Sequence, residues 1–328
     1  MTTPILSICI PTYNRAHYLK NCLESLKIQI IDNPFLTDAV EIVISDNHST
    51  DNTAGVAESY RRYFRHFVYR CAEKNVGFDL NVLNVVRNAT GKYCWYLGDD
   101  DVVVNGAVSF VVDCLKNNEY DFVGIESRHM VSPEDYKKKG LFDKKSLLET
   151  KDYNEAYFNN FCQGAVSVLI FDRELWLQCV DPKDFLQEWL YFETVLKLLV
   201  RAKNKMLYIN DPGVLTGQDC RWAENGREIV TFTHGNLLYQ RMISFGFDKD
   251  RISKLLKENK KRILIILLRA KGHGLKCNLE NYKFIYKHYG PSVDFFRFLL
   301  WSLIFIVPNK VVIMVRDLKK IIINKIKK

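Results

Sequence analysis

Short β-branched apolar runs alternate with helix-periodic segments through the first 125 residues, and this alternation restricts the possible folds more than any other feature of the chain. The run Ile5–Ile10 suits a strand buried on both faces, with Pro11 ending it. A helix follows, with Leu19, Cys22, Leu23 and Leu26 at helical spacing. Val40–Ser45 reads as a second strand and residues 49–64 as a helix with Ser49 or Thr50 as N-cap. His66–Ala72 is a third strand, and Phe78–Asn88 a helix with Leu80, Leu83 and Val86 on one face. Tyr93–Gly98 is a fourth strand, Val103–Lys116 a helix and residues 120–127 another strand. This pattern predicts an α/β protein: βαβ units and a mostly parallel, open sheet flanked by helices.

Beyond residue 129 the pattern loosens. Residues 130–160 are polar and lysine-rich and read as a loop. Ala165–Phe171 resumes as a strand, residues 173–180 start a helix, residues 185–201 read as a helix carrying acids on an apolar stretch, and residues 206–211 form a short strand. From about residue 226 the signals are helical only.

The chain has 328 residues, 48% hydrophobic and 26% charged, which excludes a disordered chain and allows a sizeable core. The formal net charge is +9, yet residues 308–328 hold seven Lys or Arg against the single acid Asp317. The body is therefore nearly neutral, and no nucleic-acid-binding face is expected. Nine cysteines, with no C-x-x-C pair and several in apolar runs, read as reduced, buried thiols of a reducing compartment. The first residues read as a strand and not as a secretory leader.

In open parallel sheets, ligands bind beyond the carboxyl ends of the strands. Polar clusters fall at four such ends: Thr12-Tyr13-Asn14, Asp46-Asn47, Asn75, and Asp99-Asp100-Asp101 behind Gly98. Three adjacent carboxylates repel one another unless something neutralises them. A hard divalent cation, Mn²⁺ or Mg²⁺, does so with one or two carboxylates and the oxygens of a substrate phosphate. Such an ion also stabilises the charge that develops on a departing diphosphate. The segment after the first strand, PTYNRAHYL, lacks glycine, which argues against both a sugar nucleotidyltransferase and a dinucleotide-dependent oxidoreductase.

The segments SICIPTYNRAHYLKNCLESL, EIVISDNHSTDNT and NVGFDLNVLNVVRNATGKYCWYLGDDD resemble, in order and spacing, the nucleotide-binding half of family 2 glycosyltransferases, over about residues 5–105. The WYLGDDD form is similar to the abequosyltransferase-like subgroup of O-antigen or polysaccharide assembly. The resemblance implies a GT-A fold, a nucleoside-diphosphate-sugar donor and an inverting reaction. It implies that Pro11, Thr12 and Tyr13 line the nucleoside pocket and that Asp46 meets the base or ribose, with Asn47 where many relatives carry a second acid. Asn75 and Gly77 match the turn beside the donor, and Arg87 or Lys92 would meet phosphate. Asp99 and Asp101 match the outer members of the D-x-D element, Asp100 lies between them, and Asp101 is the first choice as metal ligand. Where many relatives carry an acidic pair to supply the base, this chain has Gln187-Glu188-Trp189 and then Glu193; Glu188 is favoured, with Glu193 second. Gln218, Arg221 and Trp222 spell a Q-x-x-R-W pattern, in which Arg221 could pair with donor phosphate.

The implied organisation is a GT-A domain over 1–225 (1–125 binding the nucleotide sugar, 126–225 facing the acceptor) and a helical region over 226–328. Residues 298–307 carry no charge but are too short to span a bilayer, which takes ~20 residues. Beside the basic tail they read as an interfacial anchor on an anionic membrane, with packing on the domain or a dimer contact as the alternative. A cytosolic protein peripheral to the cell membrane, acting on a lipid-linked or membrane-proximal glycan, is the resulting expectation; a membrane-anchored, non-catalytic binder of nucleotide sugars is the competing one. His17 and His48 lack a metal partner at ligand spacing and read as structural, and Tyr153, Tyr157, Phe158 and Phe161 suit either an acceptor wall or core.

Overall fold

Strand β1 (Leu6–Thr12) lies inside the sheet, every residue of it buried, as a β-branched run without polar alternation requires. A computed structural model describes residues 3–130, 132, 134–138, 142, 146–162, 164–217, 228–289 and 295–314. The chain divides into two compact units, Met1–Asp219 and Cys220–Lys328.

In the first unit, β1 is followed by α1 (Ala16–Ile30), α2 (Pro34–Ala39), β2 (Val40–Asp46), α3 (Thr53–Arg61), β3 (His66–Cys71), α4 (Phe78–Asn88) and β4 (Tyr93–Tyr96). Next come β5 (Val102–Val103), α5 (Ala107–Asn117), β6 (Tyr120–His129), β7 (Leu147–Thr150) and α6 (Tyr153–Phe158). The unit closes with β8 (Leu169–Asp172), α7 (Arg173–Cys179), α8 (Leu190–Arg201) and β9 (Lys205–Thr216). The sheet order is β3-β2-β1-β4-β8-β6-β9-β5, with β7 paired to β9.

The parallel arrangement read from the sequence holds for β3, β2, β1 and β4. Past β4 the sheet is mixed. Strand β8 runs antiparallel to both β4 and β6, β6 and β9 are parallel, and β5 and β7 run antiparallel to β9. The first four strands thus end along one edge of the sheet, and the four polar clusters collect there.

Several boundaries differ from the sequence reading, each for a physical reason. Pro11 does not end β1: pairing with β4 stops at Cys9–Tyr96, so the missing N–H of Pro11 costs no ladder bond, and β1 continues beside β2 to Thr12–Asp46. Val102 and Val103 pair with Leu215 and Val214, so the helix expected from residue 103 begins at Ala107. The loop expected over 130–160 contains β7 and α6, the latter capped by Asp152, whose carboxylate accepts the N–H groups of Asn154 and Glu155. The buried face of α4 includes Asp79 and Asn81, whereas Leu80 is exposed. Phe161 is core: it stacks on Tyr208 at 5.4 Å, and Tyr157 packs edge-on against Phe158.

The second unit contains α9 (Glu228–Phe245), α10 (Lys249–Lys261), α11 (Ile263–Gly272), α12 (Leu279–Tyr289) and α13 (Phe295–Ile306). Its core joins Ile229, Ile263, Leu267, Ala270, Leu275 and Ile285, and Ile304 and Phe305 of α13 pack against it. Lys271 is fully buried and donates to the carbonyls of Ile304 and Val307, each at 2.5 Å, so its ammonium satisfies the open C-terminal end of α13. No described helix is long and apolar enough to cross a membrane. Cys9, Cys22, Cys94, Cys162 and Cys179 are free and buried, while Cys71 and Cys277 are free and exposed.

Gly124 in β6 marks where the sheet meets the Phe161 segment: a Cβ there would lie 1.8 Å from the Phe161 carbonyl oxygen. Backbone cannot rotate aside as a side chain can. Gly124→Ala is therefore expected to destabilise the protein by about 1–3 kcal/mol, read as a lowered thermal midpoint. An unchanged midpoint would show that the Phe161 segment is free to move.

Candidate active site

The Gly98–Asp101 turn leaves β4 beside the end of β1 and is tied to it at once. Thr12 Oγ1 donates to Asp99 Oδ2 at 2.7 Å, and Arg15 reaches Asp99 at 3.3 Å and Asp100 at 2.9 Å. Asp101 faces a different pair of donors: the Ser167 hydroxyl on Oδ2 and the Gly217 N–H on Oδ1 at 2.8 Å. Ser167 also accepts the Gly98 N–H at 2.7 Å. A Cβ on Gly98 would sit 3.1 Å from Asp101 and 3.2 Å from Asp100, so glycine keeps the turn open to its own carboxylates.

Burial pushes the Asp99 carboxyl up to about 7 against the pull of Arg15, and Asp100 adds to the rise. Burial likewise pushes Asp101 up to about 6, again with Asp100 adding to it. Among the described residues, the Arg15 guanidinium is the cation set against these three carboxylates. The donor set is hard oxygen, and among the described residues no group of three or more His, Cys, Asp or Glu forms a closed cage. This fits a cation held by one or two carboxylates and completed by substrate oxygens, and does not fit a structural metal site. Asp99 is already paired with a cation, whereas Asp101 is oriented by neutral donors that leave carboxylate lone pairs open. Asp101 therefore has the more open carboxylate of the two.

At the end of β2, Asp46 is buried and accepts from Tyr69 Oη at 2.7 Å and from the Ser49 N–H at 2.9 Å. Asn47 binds Asn75 Oδ1 at 2.9 Å and the Val76 N–H at 2.8 Å, and so places the Asn75–Gly77 turn, where Gly77 has φ +87°. Asn14, itself left-handed at φ +53°, takes the Thr50 N–H at 2.7 Å and gives its own N–H to Ser49. Asn81 on α4 spans both strand ends, donating to the Ser45 carbonyl at 3.0 Å and the Thr12 carbonyl at 3.4 Å. Tyr13 is 41% exposed at this rim.

A third group lies before α8. Residues 185–189 are not helical, as the sequence reading had them; the helix starts at Leu190, and Glu188 sits left-handed at φ +69°. Asp79 of α4 accepts the N–H groups of Glu188 at 2.7 Å and Leu190 at 3.1 Å. Tyr191 Oη donates to the Gly164 carbonyl at 2.6 Å, three residues before Ser167. The 164–167 segment thus touches both the Asp101 turn and the Glu188 region.

A family model described as glycosyl transferase family 2 matches residues 7–173, slightly more than half of the chain. The chain belongs to glycosyl transferase family 2. This family 2 chain is 39% identical to the abequosyltransferase RfbV of Salmonella typhimurium over 108 residues, 33% of this chain and 31% of that one. It is 27% identical over 215 residues to the GalNAc(5)-diNAcBac-PP-undecaprenol beta-1,3-glucosyltransferase of Campylobacter jejuni, 56% of this chain and 62% of that one. The chain therefore spans less than two thirds of either curated relative. Among solved structures it is similar to S. aureus TarS 1-349 in complex with UDP, with a TM-score of 0.57, 15% identity and 86% of each chain covered. It is also similar to the mannosyltransferase PcManGT of Pyrobaculum calidifontis in complex with GDP-Man and Mn2+, with a TM-score of 0.53, 16% identity and 97% and 88% of the two chains covered. At such identities the likeness speaks for the fold, which is GT-A.

In the family 2 chain, Pro11, Thr12, Tyr13, Asp46, Asn75, Gly77 and the three aspartates gather at one sheet edge. Arg87 does not. It occupies the last turn of α4, about 15 Å of helix from Gly77, and Lys92 precedes β4 and pairs with Glu119 at 3.4 Å. Among the described residues, the cation at the aspartates is Arg15, in the loop that enters α1. Glu193 is buried, pairs with Lys197 at 2.8 Å and accepts the Leu186 N–H at 3.3 Å. Gln218, Arg221 and Trp222 lie outside the described residues. His48 stands close to the Ala72 carbonyl at 3.1 Å, and His17 rests against Tyr18.

Sequence reasoning passed over Arg15, Asp79, Asn81 and Ser167. The signal for Asp79 and Asn81 was present: polar residues inside an apolar helix face are buried only where partners await them.

The Thr12–Asp99 bond makes a direct prediction. Thr12→Val keeps the shape and removes the donor, leaving a buried carboxylate short of one hydrogen bond. Denaturant unfolding is expected to show a loss of about 1.5–3 kcal/mol. A neutral result would mean that Asp99 is solvated and not clamped.

Proposed function

We propose that this chain is an inverting glycosyltransferase that moves a sugar from a nucleoside-diphosphate-sugar donor to a hydroxyl of a lipid-linked or membrane-proximal glycan in bacterial surface polysaccharide synthesis. The observation that carries the reading is the Asp99–Asp101 turn, its Asp99 buried and clamped to the β1 loop, at the carboxyl edge of four parallel strands. The name of the Campylobacter jejuni relative, a glucosyltransferase acting on a PP-undecaprenol-linked glycan, supports the acceptor class.

In this reading residues 1–125 bind the donor. Pro11, Thr12 and Tyr13 with Asp46 form the nucleoside side, and the Asn75–Gly77 turn flanks the sugar. Asp101, with Asp99 beside it, holds Mn²⁺ or Mg²⁺. When bound, that ion supplies positive charge against the diphosphate leaving group. Arg15 keeps Asp99 and Asp100 in register, and Ser167 and Gly217 N–H orient Asp101. Residues 126–225 face the acceptor, and Glu188 accepts the proton of the attacking hydroxyl as it adds in line at the anomeric carbon. Glu193 is withdrawn as an alternative base because its carboxylate is committed to Lys197 and the Leu186 N–H.

A panel of UDP-, GDP-, CDP- and dTDP-sugars, assayed with and without Mn²⁺, tests the donor half of the reading. One donor is expected to be turned over in a metal-dependent way. Asp101→Ala should abolish turnover, and Glu188→Gln should lower kcat by about 10²–10⁴-fold with donor binding intact. Binding without turnover in the unaltered protein would favour the non-catalytic nucleotide-sugar binder, and no binding of any nucleoside diphosphate would sink both readings.

Peripheral attachment to an anionic membrane, from a cytosolic position, completes the reading. While Ile304 and Phe305 face the core of the second unit, Leu299, Leu303 and Ile306 of α13 are exposed, Ile306 at 76%. The basic residues that follow in the sequence, Lys310 to Lys328, complement an anionic leaflet at about 1 kcal/mol for each charge near the surface. The full chain should float with vesicles rich in phosphatidylglycerol and not with phosphatidylcholine alone. Deleting residues 295–328 should abolish flotation; equal flotation of the truncated chain would place the membrane contact elsewhere, and a concentration-dependent dimer without flotation would assign the apolar face to self-association.

A further inference from the structure

The buried acids Glu41, Asp79, Asp121 and Glu193 take no part in the donor site as described. Glu41 is spent on Ser7 and Thr90, and Asp121 on the turn at Lys203 and Asn204. Asp79 differs because its partners belong to the segment that carries the candidate base. Its two carboxylate oxygens take two different N–H groups, of Glu188 and of Leu190, more than 100 residues away in sequence.

Each of these bonds has a distinct consequence. Leu190 is the first residue of α8, so the bond to its N–H satisfies a helix-terminal donor and places a negative charge at the positive end of the helix. The bond to Glu188 holds a residue with a Cβ at φ +69°, a conformation that persists only where the surroundings over-determine it. The backbone torsion of Glu188 fixes the direction in which its side chain leaves the chain. Asp79 itself sits one turn from the donor side: Gly77, the N-cap of α4, gives its N–H to Asn75 Oδ1 at 2.9 Å, and Asn81 holds the ends of β1 and β2. Charge-assisted bonds of this kind are about twice as strong as neutral ones, so the link is stiff.

We propose that Asp79 is a positioning residue for the transfer step, holding Glu188 in its left-handed conformation and coupling the aim of the base to the Asn75–Gly77 turn beside the donor. This rests on the reading of Glu188 as the base. Asp79→Asn is the sharpest probe: it keeps the size and one acceptor oxygen but turns an amide NH₂ toward a backbone donor. Asp79→Ser, smaller and still an acceptor, carries the same test should the asparagine variant fail to fold.

The experiment measures metal-dependent hydrolysis of the donor selected from the panel, water standing in for the acceptor, together with binding of the matching nucleoside diphosphate in Mn²⁺. Asp79→Asn is expected to lower kcat by about 10- to 100-fold with KM and nucleotide affinity within twofold. Added to Glu188→Gln it should cost nothing further, since both changes remove the same function. If Glu188→Gln is slow while Asp79→Asn keeps the original kcat, the positioning role fails and the base assignment stands. If Glu188→Gln keeps full activity, the base assignment fails and the proposal with it. A parallel loss of nucleotide affinity and kcat in Asp79→Asn, additive with Glu188→Gln, would reduce Asp79 to support of the donor turn.

Discussion

The hydrogen bond from Thr12 to Asp99 joins the end of β1 to the turn leaving β4, two strands adjacent in the sheet whose loops would otherwise diverge. Everything at the candidate site is referred to this junction. Arg15, three residues beyond Thr12, neutralises part of the charge on Asp99 and Asp100; Asn47 gives its N–H to the Thr12 carbonyl, and Asn81 reaches the same carbonyl from α4. Three carboxylates within one turn are unstable together in a low-dielectric setting, which is why burial lifts Asp99 and Asp101 and why the cluster needs a positive partner.

The half of the sheet that supplies this junction is parallel, and the half that supplies its counterpart is not. Strand β8 enters antiparallel between β4 and β6, and the short turn before it brings the Ser167 hydroxyl to Asp101 and its carbonyl to the Trp95 indole N–H of β4 at 2.9 Å. The reversal of direction at β8 brings a second chain segment to the carboxyl edge of the first four strands. It also places Gly164 against Tyr191 and so connects the aspartate turn with the segment before α8. The site is thus assembled from both halves of the first unit, with Asp79, Ser167 and Gly217 among the cross-links.

Legibility varied with the range of the interactions. The strand–helix alternation was read almost residue for residue over α1, whose buried face includes Leu19, Cys22, Leu23 and Leu26 as its periodicity required, together with Ser25, Gln29 and Ile30. The helix read over 185–201 failed at its start because Asp79, far away in sequence, captures the N–H groups at its entrance. Arg87 was matched to phosphate by its place in a motif, but its position in the last turn of α4 carries it to the opposite edge of the sheet. Glu193 and Glu188 look alike in sequence, and burial beside Lys197 separates them.

Local residue patterning is enough to give the α/β class of the first unit, the four polar clusters at strand ends and the helical character of the second unit. Each of these follows from local periodicity and from the rule that parallel strands present their carboxyl ends together. Packing in three dimensions sets which carboxylate is paired with Arg15, which acid is buried in α8, and which residues clamp the Glu188 backbone. The aspartate contacts and the Glu188 clamp join residues 66 to 111 positions apart, such as Ser167 with Asp101 and Asp79 with Leu190, and no local pattern encodes them; the Glu193–Lys197 pair spans only four positions, but its burial is a product of packing.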